Sequence, residues 1–399
     1  MPFSPIPEIL DELRAGRMIV LTDDEDRENE GDLVLPCQFV TPEAITFMLS
    51  VARGYMCVSM TEEDCDRLDL HPQAVVNTTQ RGTAFTISID GHPKHGFTTG
   101  VSAKERARCI QMMIDPASTT ADFVRPGHIN PLRSRTGGVL VRTGQTEGSV
   151  DLCRLAGLYP AAVIIEIMRD DGEMARLPDL KELVKRHNLK MCSVAQLIQH
   201  RLTEQPLVER MEPREGTVVR TEQGEFRAFA FESLVDALPH VALTVGEVGK
   251  PGWSSDEPML VRMHRRNLLG DVFGELGATG ATSGGMLRAS MAAIQRAGRG
   301  AIVYLRQEGE GVEGLEGLLQ RIRRGTHTAG SDDPGLTARG GHGEKLPRAM
   351  RDFGIGGQIL RELGVRNLRL LTNSTTDLPG LEAFGLRIVE RVGVGAGGK

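Results

Sequence analysis

The sequence predicts an α+β protein of two domains. Three observations carry that expectation: the length, the interleaving of strand-like and helix-like runs in both halves, and a charged, proline-bearing break between them. At 399 residues the chain exceeds the roughly 100–200 residues over which one domain commonly builds its core. Ile6, Ile9, Leu10 and Leu13 fall on one helical face, and Gly16 is placed to end that helix before the strand-like run Met18 to Leu21. After an acidic loop, Leu33 to Leu35 reads as a second strand. Thr41, Pro42 and Glu43 then read as N-cap, first residue and first-turn acid of a helix. Tyr55 to Met60 reads as a strand, and Ala84 to Asp90 alternates like a half-buried one.

Residues 203–214, TEQPLVERMEPR, mix charge with two prolines and lack periodicity, so they predict a linker between domains at 1–202 and 215–394, with 395–399 as a tail. Beyond it, Val241 to Val245, Met259 to Met263 and Ala301 to Leu305 read as strands, and Leu287 to Ala297 has helical spacing. Gly325 to Lys345 is rich in Gly, Ser, Thr and Asp and reads as a mobile or disordered insert.

Composition excludes several classes of function. With 40% hydrophobic and 25% charged residues and a formal net charge of -6, the chain has no basic field to attract nucleic acid. Its longest nearly apolar stretch, Ala156 to Ile167, carries Glu166 and falls short of the ~20 residues a membrane span needs. The N-terminus shows no secretory pattern, so the cytoplasm is the expected compartment. Six cysteines, all before residue 193 and without a C-x-x-C pair, read as reduced thiols.

The densest chemical signal is Asp23-Asp24-Glu25-Asp26-Arg27-Glu28-Asn29-Glu30-Gly31-Asp32. Such a run is more often a solvated loop. Between two apolar strands, however, it repels itself unless cations offset it, and hard divalent metals such as Mg²⁺ prefer oxygen ligands of this kind. A second signal runs from Arg125-Pro126-Gly127-His128 to Gly137-Gly138 and Arg142-Thr143-Gly144-Gln145-Thr146-Glu147. Glycine turns beside Arg and Thr let backbone amides and a guanidinium converge on a phosphate, although simple turn geometry and a core histidine are the blander readings.

Together with TAFTISID, TTGVSAKERA, GSVDLCRLAGL and IIEIMRDDGEMAR, these segments resemble 3,4-dihydroxy-2-butanone 4-phosphate synthase of riboflavin biosynthesis from about Ile9 to Arg201. The resemblance implies an α/β/α-layered domain, a homodimer, Mg²⁺ with Mn²⁺ as a substitute, and conversion of D-ribulose 5-phosphate into formate and a four-carbon phosphate. By position, Glu28 would bind the metal. Arg27, Asp32, Arg142, Thr143, Gly144 and Thr146 would hold substrate, with Glu28, Gln145 and Glu166 also in contact with it, and His128 and Glu166 would be the acid–base pair. Cys57 reads as core filling. One position departs: the family's metal-binding histidine is Gln145 here, whose amide oxygen still suits Mg²⁺ but cannot move protons. Gly148 stands where Ala is usual.

From Gly216 to about Val392, HVALTVGE, LVRMHRRNLLGDVFGEL, GRGAIVYLRQEGEG and RDFGIGGQILRELGVRNLRLLTN resemble GTP cyclohydrolase II, which implies a mixed α/β fold. The three cysteines of that family's zinc site fall at Asn267, Ala278 and Gly280, so no zinc and no cyclohydrolase chemistry are expected. Glu310, Ala349 and Thr376 or Asp377 are further departures, while Arg306 and Arg351 remain. The competing reading is a regulatory or scaffolding subunit for riboflavin-pathway enzymes.

Overall fold

The structure, a computed structural model, describes residues 3–24, 27–79, 82–235, 238–276, 280–306, 345–373 and 385–395, with 345–353 described by their backbone alone. The chain divides into two compact units, Met1–His200 and Arg201–Lys399. Both are mixed α/β, as the sequence predicts.

The first unit is built on strands β1 (Ile19–Thr22), β2 (Gly31–Pro36), β3 (Cys57–Met60), β4 (Ile89–Gly91), β5 (Phe123–Arg133), β6 (Ala162–Glu166) and β7 (Lys190–Ser193). They form one sheet in the order β4-β5-β3-β6-β2-β1-β7, antiparallel except where β1 pairs β7 and β3 pairs β5. Helices α1 (Ile6–Arg14), α2 (Pro42–Val51), α3 (Glu62–Arg67), α4 (Ala103–Met113), α5 (Gln145–Leu155), α6 (Leu177–His187) and α7 (Val194–Glu204) accompany it.

Strands β1 and β2 are buried along their whole length because both faces are covered. Val20, Leu33, Leu35, Val58, Val163 and Ile165 join a core with Ile45 and Met48 of α2, Ile110 and Met113 of α4 and Leu180 of α6. Their alternates face α5, which lies against β1, β2, β3 and β6 and carries α1 beside it. The result is three layers, helix, sheet and helix. Thr41 caps α2 as its sequence signature predicts, its side chain accepting from the Ala44 amide. At Gly148 an added Cβ would stand 2.8 Å from Leu21 Cδ2, so the glycine lets α5 close on a leucine of β1.

Two local expectations differ from what forms. Ala84 to Asp90 does not pair as one strand: Phe85 and Thr86 make isolated bridges, and only β4 at its end is a ladder. Thr86 N and Oγ both donate to the carbonyl of Pro131 in β5, and a proline has no N–H to return, which stops the ladder there. Within 203–214, α7 extends to Glu204 and Val208–Arg210 forms a strand, β8, while 205–207 and 211–214 stay irregular. A three-residue strand is too short to show alternation in sequence.

The second unit adds β9 (Thr217–Thr221), β10 (Gly224–Ser233), β11 (His240–Val245), β12 (Met259–Arg265), β13 (Gly300–Leu305), β14 (Asn367–Leu371) and β15 (Arg387–Val392). The sheet order is β15-β14-β12-β13-β11-β10-β8, with β9 on β10. Helices α8 (Leu268–Val272) and α9 (Ser283–Ala297) and the helix Lys345–Glu362 complete it, and Phe226, Met286, Met291, Ile294, Ile302 and Leu371 pack together as a core. Among the described residues no helix is long and apolar enough to cross a membrane.

Candidate active site

The acidic segment folds into the turn between β1 and β2, and Asp23 organises it. Its buried carboxylate accepts from the Glu30 amide at 2.8 Å through one oxygen, and from the Glu28 amide at 3.1 Å and Arg27 Nη1 at 2.8 Å through the other. Asn29 takes a left-handed φ of 55°, which short polar side chains tolerate, and Arg176 Nη1 donates to the Glu28 carbonyl at 2.7 Å. Asp23 is thus spent on the loop itself. Glu25 and Asp26 lie outside the described residues.

The turn opens onto a cavity of about 230 Å³ lined by Arg27, Glu28, Glu30, Asp32, Cys57, Thr83, Phe85, Leu132, Arg142, Gln145, Thr146, Ile164 and Glu166. Strand register explains the sheet's share. Asp32 of β2 lies directly opposite Glu166 of β6, and Ile164, two residues before Glu166, lies opposite Cys57 of β3. One sheet face therefore presents two carboxylates side by side, an arrangement that costs stability unless something positive offsets it.

The carboxylates feel one another. Burial first, then the charges of Glu28, Glu166 and Asp23, push Glu30 up to about 7. Burial and then Glu166 hold Asp32 well above the usual carboxylate range, and burial raises Glu166. Asp32 Oδ1 is buried with no hydrogen-bond partner. Glu166 is better held: the Gly54 amide donates to its carbonyl at 3.1 Å, and the Tyr55 amide to its Oε2 at 2.8 Å. That clamp requires glycine at 54, where a Cβ would fall 2.3 Å from the Glu166 carbonyl oxygen.

Two guanidinium groups face these acids. Arg27, its side chain 4% exposed, donates through Nη1 to Glu28 Oε2 at 2.8 Å and to Gln145 Oε1 at 2.9 Å as well as to Asp23. Arg142 donates to buried Glu147 at 2.7 Å and to Thr83 Oγ1 at 3.2 Å. Both converge on Gly144, where a Cβ would sit 2.5 Å from Arg142 Nη1 and 3.1 Å from Arg27 Nη2. Gly144 is also the N-cap of the eleven-residue helix α5, and it brings no side chain to cap the first turn. A helix N-terminus with two guanidinium groups beside it suits a phosphate.

Of the residues read from sequence, Arg27, Glu28, Asp32, Arg142, Gln145, Thr146 and Glu166 meet at this cavity. Gly144 acts behind it through the room it leaves, and Thr143 is not on its wall. Nor is His128. It shares a face of β5 with Asn130 and Leu132, two residues before Asn130, which lies opposite the wall residue Cys57. There its half-exposed ring sets Nδ1 2.6 Å from Asp90 Oδ2. Cys57 is buried like a core residue and also lines the cavity, its thiol pushed up by burial. Sequence reasoning missed Thr83, Phe85, Leu132 and Ile164 as wall residues and left Glu30 within the acidic run without a role. Glu30 alone had a signal, its place in that run.

Comparison with known proteins now has a geometry to explain. Residues 7–200 match the model of 3,4-dihydroxy-2-butanone 4-phosphate synthase, and residues 212–393 match that of GTP cyclohydrolase II. The riboflavin biosynthesis protein RibBA of Aquifex aeolicus is 46% identical over 392 residues, covering 98% of this chain and 92% of that protein. This chain belongs to the RibBA family. The Bacillus subtilis RibBA is 44% identical, with 98% of this chain and 93% of that protein covered. Among solved structures, RibBX, a two domain 3,4-dihydroxy-2-butanone 4-phosphate synthase from A. baumannii, is similar at 33% identity and a TM-score of 0.73, covering 94% of this chain and 96% of that one.

In the RibBA frame the second unit departs where zinc thiolates are expected. Asn267 spends its side-chain oxygen on the Gly270 amide as N-cap of α8. Gly280 has a φ of 76° and nothing around a built Cβ. The remaining departures, Ala278, Glu310, Thr376 and Asp377, the side chains of Ala349 and Arg351, and nearly all of the 325–345 insert lie outside the described residues. Among the described residues no three His, Cys, Asp or Glu side chains gather as a metal site.

The convergence at Gly144 is directly testable. Gly144→Ala is expected to push the two guanidinium groups apart and weaken binding of inorganic phosphate by about tenfold, the loss of roughly one charge-assisted hydrogen bond. Titration calorimetry on both proteins measures it, and equal affinities would place the phosphate elsewhere.

Proposed function

We propose that the first half of this chain converts D-ribulose 5-phosphate into L-3,4-dihydroxy-2-butanone 4-phosphate and formate with Mg²⁺, or Mn²⁺ in its place, and that the second half has lost GTP cyclohydrolase II chemistry. The observation that carries the first part is the cavity itself, where Asp32, Glu166 and Glu28 crowd beside two guanidinium groups at a helix N-terminus. A divalent ion fits it. Asp32 Oδ1 is buried without a partner, and the carboxylates hold one another's protons on when no further positive charge is present. With no group of three protein ligands gathered among the described residues, the ion would take Glu28 and fill its shell with water and substrate oxygens, the habit of Mg²⁺. When bound it supplies positive charge against the oxygens of an enediol.

The chain's own groups divide the remaining work. Arg27 and Arg142 take the phosphate, which places the sugar carbons over the carboxylate face. Glu166, held by the Tyr55 amide and raised by burial, is suited to accept and return a proton. Asp32, held even more firmly protonated, donates to or receives from a neighbouring hydroxyl. Phe85, Leu132 and Ile164 keep bulk water from the reacting carbons.

His128 enters this reading through a second copy. Its exposure, with that of Tyr55, Val75, Val76 and Val101, supports a homodimer in which each His128 serves the partner's cavity. For the second half, the carrying observation is chemical: every cysteine of the chain lies before residue 193, Asn267 is committed to a helix cap, and a catalytic zinc needs about three protein ligands. The A. baumannii chain of similar layout is described as a synthase, which accords with that reading.

Three outcomes follow. Glu28→Gln should lower formate release from D-ribulose 5-phosphate by about a hundredfold or more through loss of a charged ligand oxygen, and raise the Mg²⁺ needed. Formate release at the wild-type rate with unchanged Mg²⁺ dependence would remove Glu28 from the site. Co-expressed Glu28→Gln and His128→Ala chains, each inactive alone, should regain about a quarter of the wild-type rate in randomly formed dimers, whereas a mixture as inactive as its parts would confine His128 to its own chain. Elemental analysis of the purified full chain should find no stoichiometric zinc; one tightly held zinc per chain, or a pyrimidine product formed from GTP, would overturn the second part.

A further inference from the structure

The position of Gln145 supports an assignment different from the one its place in the sequence suggests. We propose that Gln145 is not a metal ligand but a positioning residue that anchors the Arg27 guanidinium for the sugar phosphate. This rests on the synthase reading above and refines it.

The geometry is specific to an amide at this position. Among the described residues, Arg27 Nη1, with two hydrogens, has three acceptors, Asp23 Oδ2 and Glu28 Oε2 at 2.8 Å and Gln145 Oε1 at 2.9 Å. A guanidinium only donates, so the amide must turn its oxygen, not its NH₂, toward Arg27. Gln145 is nearly buried at the first position of α5, which fixes where that oxygen can stand. A dication on the same oxygen, bound at about 2.1 Å, would lie no more than about 5 Å from the guanidinium, a repulsion weakly screened in so buried a place. Glu28 escapes this conflict because a carboxylate has two oxygens and a full charge, and it can serve Arg27 with one and an ion with the other. Gln145 has one oxygen and no charge.

The anchor also has a task. Without it, the acceptors at Nη1 would be two carboxylates, which draw the guanidinium toward the acidic loop and onto the metal-binding Glu28. With it, Nη2 stays by Gly144, beside Arg142 Nη1, where the two guanidinium groups frame the start of α5. The substitution of an amide for an imidazole thus trades a ligand for a hold on the phosphate-binding arginine.

The test uses the full chain as wild type, Gln145→Met, Gln145→Ala and Gln145→His. Mn²⁺ is titrated and free ion followed by electron paramagnetic resonance, and KM and kcat for D-ribulose 5-phosphate are measured beside it. Methionine keeps the length and removes the acceptor. Gln145→Met and Gln145→Ala should bind Mn²⁺ within about twofold of wild type while KM rises about tenfold and kcat changes less, as expected when a charge-assisted contact to a binding group is lost. Gln145→His should tighten Mn²⁺ by about tenfold or more, since an imidazole supplies a ligand where the wild type has none. A tenfold loss of Mn²⁺ affinity in Gln145→Met or Gln145→Ala, or a KM unmoved in both, overturns the assignment. Were the wild type to release no formate, the synthase reading would fall on that result. The Mn²⁺ titration, with calorimetric binding of ribulose 5-phosphate in place of KM, would still decide Gln145.

Discussion

The buried guanidinium of Arg27 is the constraint on which the first unit's cavity depends. Asp23, Glu28, Glu30, Asp32 and Glu166 come together within one turn and one pair of strands, and water reaches them poorly. Their mutual repulsion is relieved in two ways: protons stay on Glu30 and Asp32 above the usual range, and Arg27 ties Asp23 to Glu28. Neither device removes the excess negative charge. A site so arranged retains an appetite for positive charge, which is what a substrate-binding, ion-assisted lyase requires of its resting state.

Much of this was legible in the chain. The acidic run after an apolar strand located the turn, and the glycines around Arg142 and Thr146 located the arginine-flanked start of α5. Thr41-Pro42-Glu43 and the apolar spacing of Ile6, Ile9, Leu10 and Leu13 located helices because caps and periodicity are local. Other parts depended on pairings that sequence does not display. Phe85 and Leu132 meet in an isolated bridge, Thr83 is held by Arg142, and the interruption at Pro131 appears only once β5 is known to lie beside Thr86. Gly54 looks like any loop glycine until Glu166 is folded against it.

His128 and the second unit show a different limit. A motif can identify a residue's chemistry without saying which cavity it serves: His128 holds Asp90 and is not on the cavity wall. In the second unit, the absence of cysteine was visible at once, but the present use of Asn267 was not. Its side chain serves as a helix cap, a role worth about 1 kcal/mol that holds the start of α8 in place.

The cross-strand pairing of Asp32 with Glu166 carries a consequence for how the cavity comes into being. Because side chains alternate faces along a strand, sliding β2 by one residue against β6 would turn Asp32 into the α2 and α4 core and bring Leu33 to the cavity in its place. No intermediate register gives half a site. The same hydrophobic alternation that excludes a slipped sheet thus acts as a proofreading step for the chemistry: a chain that has completed its central strands has its carboxylate pair, and one that has not has none.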